Sequence, residues 1–410
     1  MHHRLLKNSS SFALPLILLV AAYLVLPRIS SLPPSWQMNL ISAPYIIFAT
    51  LLLLSFHFNR GRIFCVSLLL GAAYWSYRAY LLQGLVDFRA GMIYQALAIL
   101  LPVNITLFCF LRERGILTSA GRLRLAFLAS QVAMVAWFVR YNYVEVQQFI
   151  GRELVSSDFL ERFLLPQTAL FLFLAGGVLI AVKLLISPSP LLSGMFGALL
   201  ALAISCNWLT TEHLVPLFMG TAGLLLVISV LQESHNMAYR DDLTSLPSRR
   251  ALNEQLMGLG RQYAIAMLDV DHFKKFNDTY GHDVGDQVLR MVASRMQAVG
   301  GGGRAYRYGG EEFTILFPRK RLADATAHLE EVRRSIADYQ MKIRSAERPK
   351  DGQEGKKQRG AGNGDQTVSV TISIGVAECC DGSPTPETVI KAADQALYRA
   401  KQKGRNQVCT

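Results

Sequence analysis

Before residue 232 the chain is a succession of long apolar runs, and this limits its fold more than any other feature. The runs cover residues 12–26, 41–58, 63–82, 90–111, 123–139, 163–185, 191–209 and 213–231. Most come close to the roughly 20 residues that a helix needs to cross a bilayer; the first is shorter. Inside hydrocarbon every backbone N–H and C=O must be paired within its own segment, so such runs are expected to be helical. Residues 1–232 are therefore expected to form an all-α transmembrane domain of about eight helices. The whole chain is 51% hydrophobic and only 18% charged, too apolar for an ordinary water-soluble protein of 410 residues.

Charge placement predicts orientation. With the N-terminus inside, the inner segments hold Arg4, Lys7, Arg60, Arg62, Arg112, Arg114, Arg122, Arg124 and Lys183. The outer loops hold Arg28, Arg89, Arg140, Arg152 and Arg162, the last three sharing their loop with four acids. That asymmetry predicts a cytoplasmic N-terminus, and an even number of spans would return everything after residue 232 to the same side, with the lipid bilayer as partner. Residues 1–232 carry 15 Lys/Arg against 7 Asp/Glu, and residues 233–410 carry 27 against 23. The basic excess thus lies mainly in the apolar half, where topology explains it and nucleic-acid binding is not expected. Arg78 falls inside the third run, either snorkelling to the interface or marking a functional site. A sensor, an anchor and a transporter all remain open, and no residue names a sensor ligand. The six cysteines lack C-x-x-C spacing, so neither a zinc site nor a disulfide is expected.

The last run continues without Gly or Pro into residues 233–240, expected to be a helical linker. From residue 241 the pattern changes to short strands alternating with helices, an α/β sandwich around one sheet. Helices are expected at 249–258, 288–298, 323–337 and 386–401. Strands are expected at 263–268 and 368–376, with a hairpin at 304–317 and a polar stretch up to Asp286.

Two acidic sites stand out. Asp269 and Asp271 follow the apolar strand, and they share a face only if the strand continues through them. Glu311 and Glu312 follow Gly309 and Gly310 at the tip of the hairpin. Glycine there permits a tight turn and lets a phosphate approach bare backbone. Strand-end and hairpin-tip carboxylates facing each other make a seat for a hard divalent cation, although strand-end aspartates also serve as helix caps.

The chain reads Asp242-Leu-Thr-Ser-Leu-Pro-Ser-Arg-Arg250, Asp269-Val-Asp-His-Phe-Lys-Lys-Phe-Asn-Asp278 and Gly281-His-Asp-Val-Gly-Asp286. Further on come Arg307-Tyr-Gly-Gly-Glu-Glu-Phe313, Val370-Thr-Ile-Ser-Ile-Gly375 and Ala393-Asp-Gln-Ala-Leu-Tyr-Arg-Ala-Lys-Gln-Lys-Gly-Arg-Asn406. Six motifs in this order, over residues 238–408, closely resemble the GGDEF-domain diguanylate cyclases in their GGEEF form. The resemblance implies a nucleotidyl-cyclase-like fold and a homodimer that joins two GTP into cyclic di-GMP, releasing two pyrophosphates. It implies Mg²⁺, with Mn²⁺ as a substitute, held by Asp269, the Val270 carbonyl, Glu311 and Glu312. Glu311 is also implied to deprotonate the attacking 3′-hydroxyl, and Lys274 to offset charge on the phosphates. Asn277 and Asp286 match the guanine-reading pair, and His282 a substrate-lining position. Gly309 and Gly310 match the nucleotide-facing turn, and Lys401 and Arg405 the triphosphate-binding pair. A carboxylate at 286 can accept from guanine N1–H and N2–H₂, a donor pair adenine lacks.

The chain departs from that pattern in two places. Gly300-Gly-Gly-Gly-Arg304 stands where many members carry an Arg-x-x-Asp product-inhibition site, so weak or absent inhibition through it is expected. Residues 345–366, rich in Lys, Arg, Gly and Gln, read as a long flexible insertion. A degenerate domain that binds GTP or cyclic di-GMP without turnover is the alternative reading.

Overall fold

The computed structural model describes residues 10–343, 366–379 and 385–410. The expected insertion at 345–366 lies almost wholly outside the described residues. The chain divides into two compact units, Met1–Ser234 and His235–Thr410.

The first unit is helical. Its long elements are α1 (Ala13–Ile29), α2 (Pro34–His57), α3 (Gly61–Ser76), α4 (Phe88–Phe110) and α5 (Ser119–Arg140). After the short α6 (Val144–Ile150) come α7 (Gln167–Ile186), α8 (Pro190–Asn207) and α9 (Leu214–Tyr239). Each of the eight apolar runs thus has a helix, and among the described residues six are long and apolar enough to cross a membrane: α2, α4, α5, α7, α8 and α9. The other two are shorter by that measure. Helix α1 has only 17 residues, and α3 ends after 16 where a π turn, Tyr77–Leu81, takes over at Arg78. Short α6 occupies what reads in sequence as loop.

Helices in this unit approach closely where side chains are small. Gly194 and Gly197 of α8 lie against Ser229 and Leu225 of α9, and a Cβ at Gly197 would sit 2.7 Å from Leu225. Some buried polar groups are paired across helices. Tyr94 donates to the Cys206 carbonyl at 3.0 Å, and Asn104 and Gln131 exchange amide bonds at 2.7 and 3.2 Å. Many apolar side chains nevertheless face outward; Ile17, Leu53, Val178 and Ile186 are each more than 60% exposed. Water is a poor solvent for such a surface.

The second unit is a five-stranded sheet with helices on both faces. Its helices are α10 (Arg249–Met257), α11 (Phe273–Tyr280), α12 (His282–Gln297), α13 (Leu322–Ala337) and α14 (Pro386–Gln402). Its strands are β1 (Tyr263–Val270), β2 (Arg304–Gly309), β3 (Glu312–Pro318), β4 (Met341–Ile343), β5 (Gln366–Val368), β6 (Ile372–Glu378) and β7 (Val408–Cys409). The order is β2-β3-β1-β6-β7, with β4 and β5 pairing separately. Central β1 is antiparallel to β3 and β6, and all eight of its residues are buried.

Alternation along β1 builds two cores. Ala264, Ala266, Leu268 and Val270 face Val288, Val292 and Met296 of α12 and Leu329 and Ile336 of α13. Tyr263 and Ile265 face Leu252 and Leu256 of α10, and Met267 packs on Ala393 and Leu397 of α14. The polar stretch before Asp286 is in fact two helices, α11 and the start of α12. Its polarity marks their solvent faces, because Phe273 and Gly285 are buried. The expected strand at 368–376 is also corrected. It breaks at 369–371, leaving β5 to pair with β4 and β6 to pair with β1.

Gly375 of β6 lets α14 lie directly on the sheet. A Cβ there would strike the backbone of Ala393 and Leu397 and lie 2.6 Å from the Ala396 carbonyl carbon. Backbone cannot rotate away as a side chain can. Gly375→Ala should therefore cost about 3 kcal/mol or more. A chemical-denaturation midpoint unchanged from the parent would contradict this packing.

Candidate active site

The site grows from the end of β1. Asp269 continues the face that carries Tyr263, Ile265 and Met267, the side covered by α14. On α14, Ala393, Leu397 and Lys401 recur every four residues and share a stripe. The first two pack on β1, and the third reaches its end, where Lys401 Nζ lies 2.9 Å from Asp269 Oδ1. Across the sheet Asp269 pairs in register with Glu312, and Val270 N–H donates to the Glu311 carbonyl at 3.4 Å. The hairpin thereby brings Glu311 beside Asp269.

The two carboxylates feel each other. Burial pushes the Asp269 carboxyl above its ordinary range even though Lys401 and Arg405 pull the other way. Burial also raises Glu311, and the Asp269 charge adds to it. Closely placed acids that resist ionisation favour a cation between them. In this structure the Lys401 ammonium stands in as that positive charge. All the donors are hard oxygens, which fits Mg²⁺, a cation held by one or two carboxylates and completed by substrate phosphates and water. Among the described residues no three His, Cys, Asp or Glu side chains, Asp269, Glu311 and Glu312 included, are grouped so as to hold a metal by themselves. Glu312 is exposed, and Val270 is only 1% exposed at the strand end.

The hairpin that carries Glu311 is held from below. Arg307 donates twice to the Gly310 carbonyl, at 3.1 and 2.7 Å, and pairs with Asp241 at 2.6 Å. Burial raises the Asp241 carboxyl, but hydrogen bonds from Thr244 and Arg307 outweigh it and hold the group below its usual range. Gly310 adopts φ +48°, and a Cβ at Gly309 or Gly310 would meet nothing within 4 Å. The turn therefore presents bare backbone to open space.

Asn277 closes α11 and Asp286 lies in the first turns of α12, four residues after exposed His282. Gly285 brings the pair together. Its Cα packs on the Asn277 carboxamide, whose buried Oδ1 has no hydrogen-bond partner. A Cβ at 285 would overlap that oxygen and stand 3.0 Å from Asn277 Cγ and 3.3 Å from Phe273 Cζ. Gly285→Ala should leave the fold intact, since a side-chain amide can swing away; with Asn277 in the guanine-reading role that the resemblance implies, the lost hydrogen bond should cost about tenfold in nucleotide affinity. Parallel thermal melts and nucleotide titrations check this; unaltered affinity would refute it. Lys274 is exposed on the first turn of α11, and Arg405 is exposed at φ +65° just past α14.

Three residues with clear structural work are not evident from sequence alone: Arg307 and Asp241, which brace the hairpin, and Gly285. Asp271 parts company with Asp269. Strand β1 ends at Val270, and the Asp271 carboxylate turns inward to Thr371 and Ser373.

Residues 238–353 and 355–407 match the family model described as diguanylate cyclase, GGDEF domain. The second unit is a GGDEF domain. Its sequence is 41% identical over 172 residues to diguanylate cyclase VdcA of Vibrio cholerae, covering 41% of this chain and 45% of that protein. It is 36% identical over 186 residues to the response regulator PleD of Caulobacter vibrioides, covering 43% and 37% respectively. The chain thus spans less than half the length of either relative. Among solved structures, the GGDEF domain of DgcB from Caulobacter crescentus, in complex with c-di-GMP, is 36% identical. That match covers 42% of this chain and 92% of that one, with a TM-score of 0.35.

Proposed function

We propose that the chain is a membrane-anchored diguanylate cyclase that condenses two GTP into cyclic di-GMP and two pyrophosphates. The observation that carries this reading is the carboxylate of Glu311 within electrostatic reach of Asp269, with the Lys401 ammonium 2.9 Å from Asp269. The diguanylate cyclases among its relatives support it.

In this reading Asn277 and Asp286 read the guanine edge, and His282 lines the nucleotide. Lys401 leaves Asp269 for the triphosphate, joined by Arg405, while Lys274 offsets phosphate charge. Bound between Asp269, the Val270 carbonyl, Glu311 and Glu312, Mg²⁺ or Mn²⁺ would supply positive charge that acidifies a hydroxyl and neutralises phosphate oxygens. Glu311 takes the proton of the 3′-hydroxyl. The freed oxygen bonds to the α-phosphorus of the opposite GTP as the bond to its β-phosphate oxygen breaks and pyrophosphate leaves. One domain holds one GTP, so two copies must face each other, each supplying the other's reactant. Positioning and charge neutralisation do the catalytic work.

The six long apolar helices, with their outward apolar side chains, support a multi-pass inner-membrane location for the first unit, which would act as the sensor. The turn at 300–304 bears no acid, and Arg304 is engaged by Gln255 at 2.9 Å, in keeping with weak product inhibition there. Full-length protein in detergent, given GTP and Mg²⁺, should form cyclic di-GMP and pyrophosphate in a ratio of one to two. GTP binding without turnover would favour the receptor reading.

A further inference from the structure

The Asp271 carboxylate is buried, with the residue 7% exposed, and both its oxygens are in use. Oδ1 accepts from the Ser373 hydroxyl at 2.6 Å. Oδ2 accepts from the Thr371 hydroxyl at 2.7 Å and from the Asn406 backbone N–H at 3.1 Å. A carboxyl group is costly to bury unless its oxygens are hydrogen-bonded, and here each of them is. Packing alone would not call for one here.

The Asn406 bond shows what the side chain does. Gly404, Arg405 and Asn406 all have positive φ, at +109°, +65° and +45°. Two of the three carry a Cβ, and each such residue costs on the order of 1–2 kcal/mol in that region, so the turn persists only where its surroundings impose it. Three contacts do so. Asp271 holds the Asn406 N–H, Arg333 donates to Asn406 Oδ1 at 2.7 Å, and the Arg405 N–H returns to the Ala400 carbonyl at 3.0 Å. The turn follows directly on Lys401, and Arg405 lies at its centre.

We infer that Asp271 is a positioning residue, clamping the turn at 404–406 so that Arg405 and Lys401 meet the triphosphate. This rests on the function proposed above. With Asp269 two residues away, the end of β1 then sets the carboxylate pair and the phosphate-binding cations in one register. A site that works by geometry requires such a common reference.

The test compares binding of GTP and of guanosine, which lacks phosphates, to the full-length protein in detergent. Asp271→Ala should weaken GTP binding about tenfold and leave guanosine within about twofold, while Asp271→Asn, which keeps an acceptor, should recover part of the loss. Added to Arg405→Ala, Asp271→Ala should cost little more, because both remove one interaction. Should the alanine variant fail to fold, Asp271→Asn alone is decisive. A loss for GTP about threefold greater than for guanosine supports the inference. Equal losses for the two ligands, no loss, or full multiplication with Arg405→Ala would overturn it. Wild-type protein that binds no GTP would instead overturn the proposed function, and this inference with it.

Discussion

Glu311→Gln should reduce cyclic di-GMP formation about a thousandfold or more, the largest effect expected of any single change. The substitution keeps the shape and removes only the charge. Loss of a single preorganised electrostatic group already costs about 10²–10³ in turnover, and in the proposed mechanism the same carboxylate is both proton acceptor and cation ligand. The fold should not suffer. Burial and the Asp269 charge already disfavour the ionised form of Glu311, so a neutral amide removes a repulsion. The hairpin is held by Arg307 through backbone and Asp241, none of which involves the 311 side chain. Product measured by chromatography beside a thermal melt makes the check. Turnover within tenfold of the parent would remove Glu311 from the chemistry.

Asp286→Ala should collapse base selectivity. Hydrogen bonds to a charged group are worth about 1.5–3 kcal/mol each, so losing two lowers kcat/KM for GTP by about a hundredfold or more. ATP offers no matching donors and should be used as poorly as before. The ratio of the two rates, measured in competition, isolates this effect from any general damage. An unchanged GTP-to-ATP ratio would mean that the base is read elsewhere.

The elements were legible wherever their signal is local. The apolar runs, the hairpin around Gly309 and Gly310, and α13 and α14 all follow from spacing and turn chemistry within a few residues. Helix α11 and the start of α12 escape such a reading because one face of each is polar and only Phe273, Gly285 and their like turn inward. The break at 369–371 is equally invisible. Nothing local tells β5 to leave the line of β6 and pair with β4; that choice belongs to partners elsewhere in the chain.

The acids show the division most clearly. From the sequence by itself came the chemical inventory: two acidic pairs, a glycine turn, and basic residues near the C-terminus in an order that resembles one family. Alternation alone would have placed Asp269 and Asp271 side by side. Tertiary structure decided otherwise, because β1 stops at Val270. Asp269 stays on the sheet face beneath α14 and meets Lys401, while Asp271 turns away to hold the strand and turn around it. Side-chain type is written in the chain, but where a strand ends is set by the neighbours that pair with it, and here that end parts Asp269, which meets Lys401, from Asp271, which meets Thr371, Ser373 and Asn406.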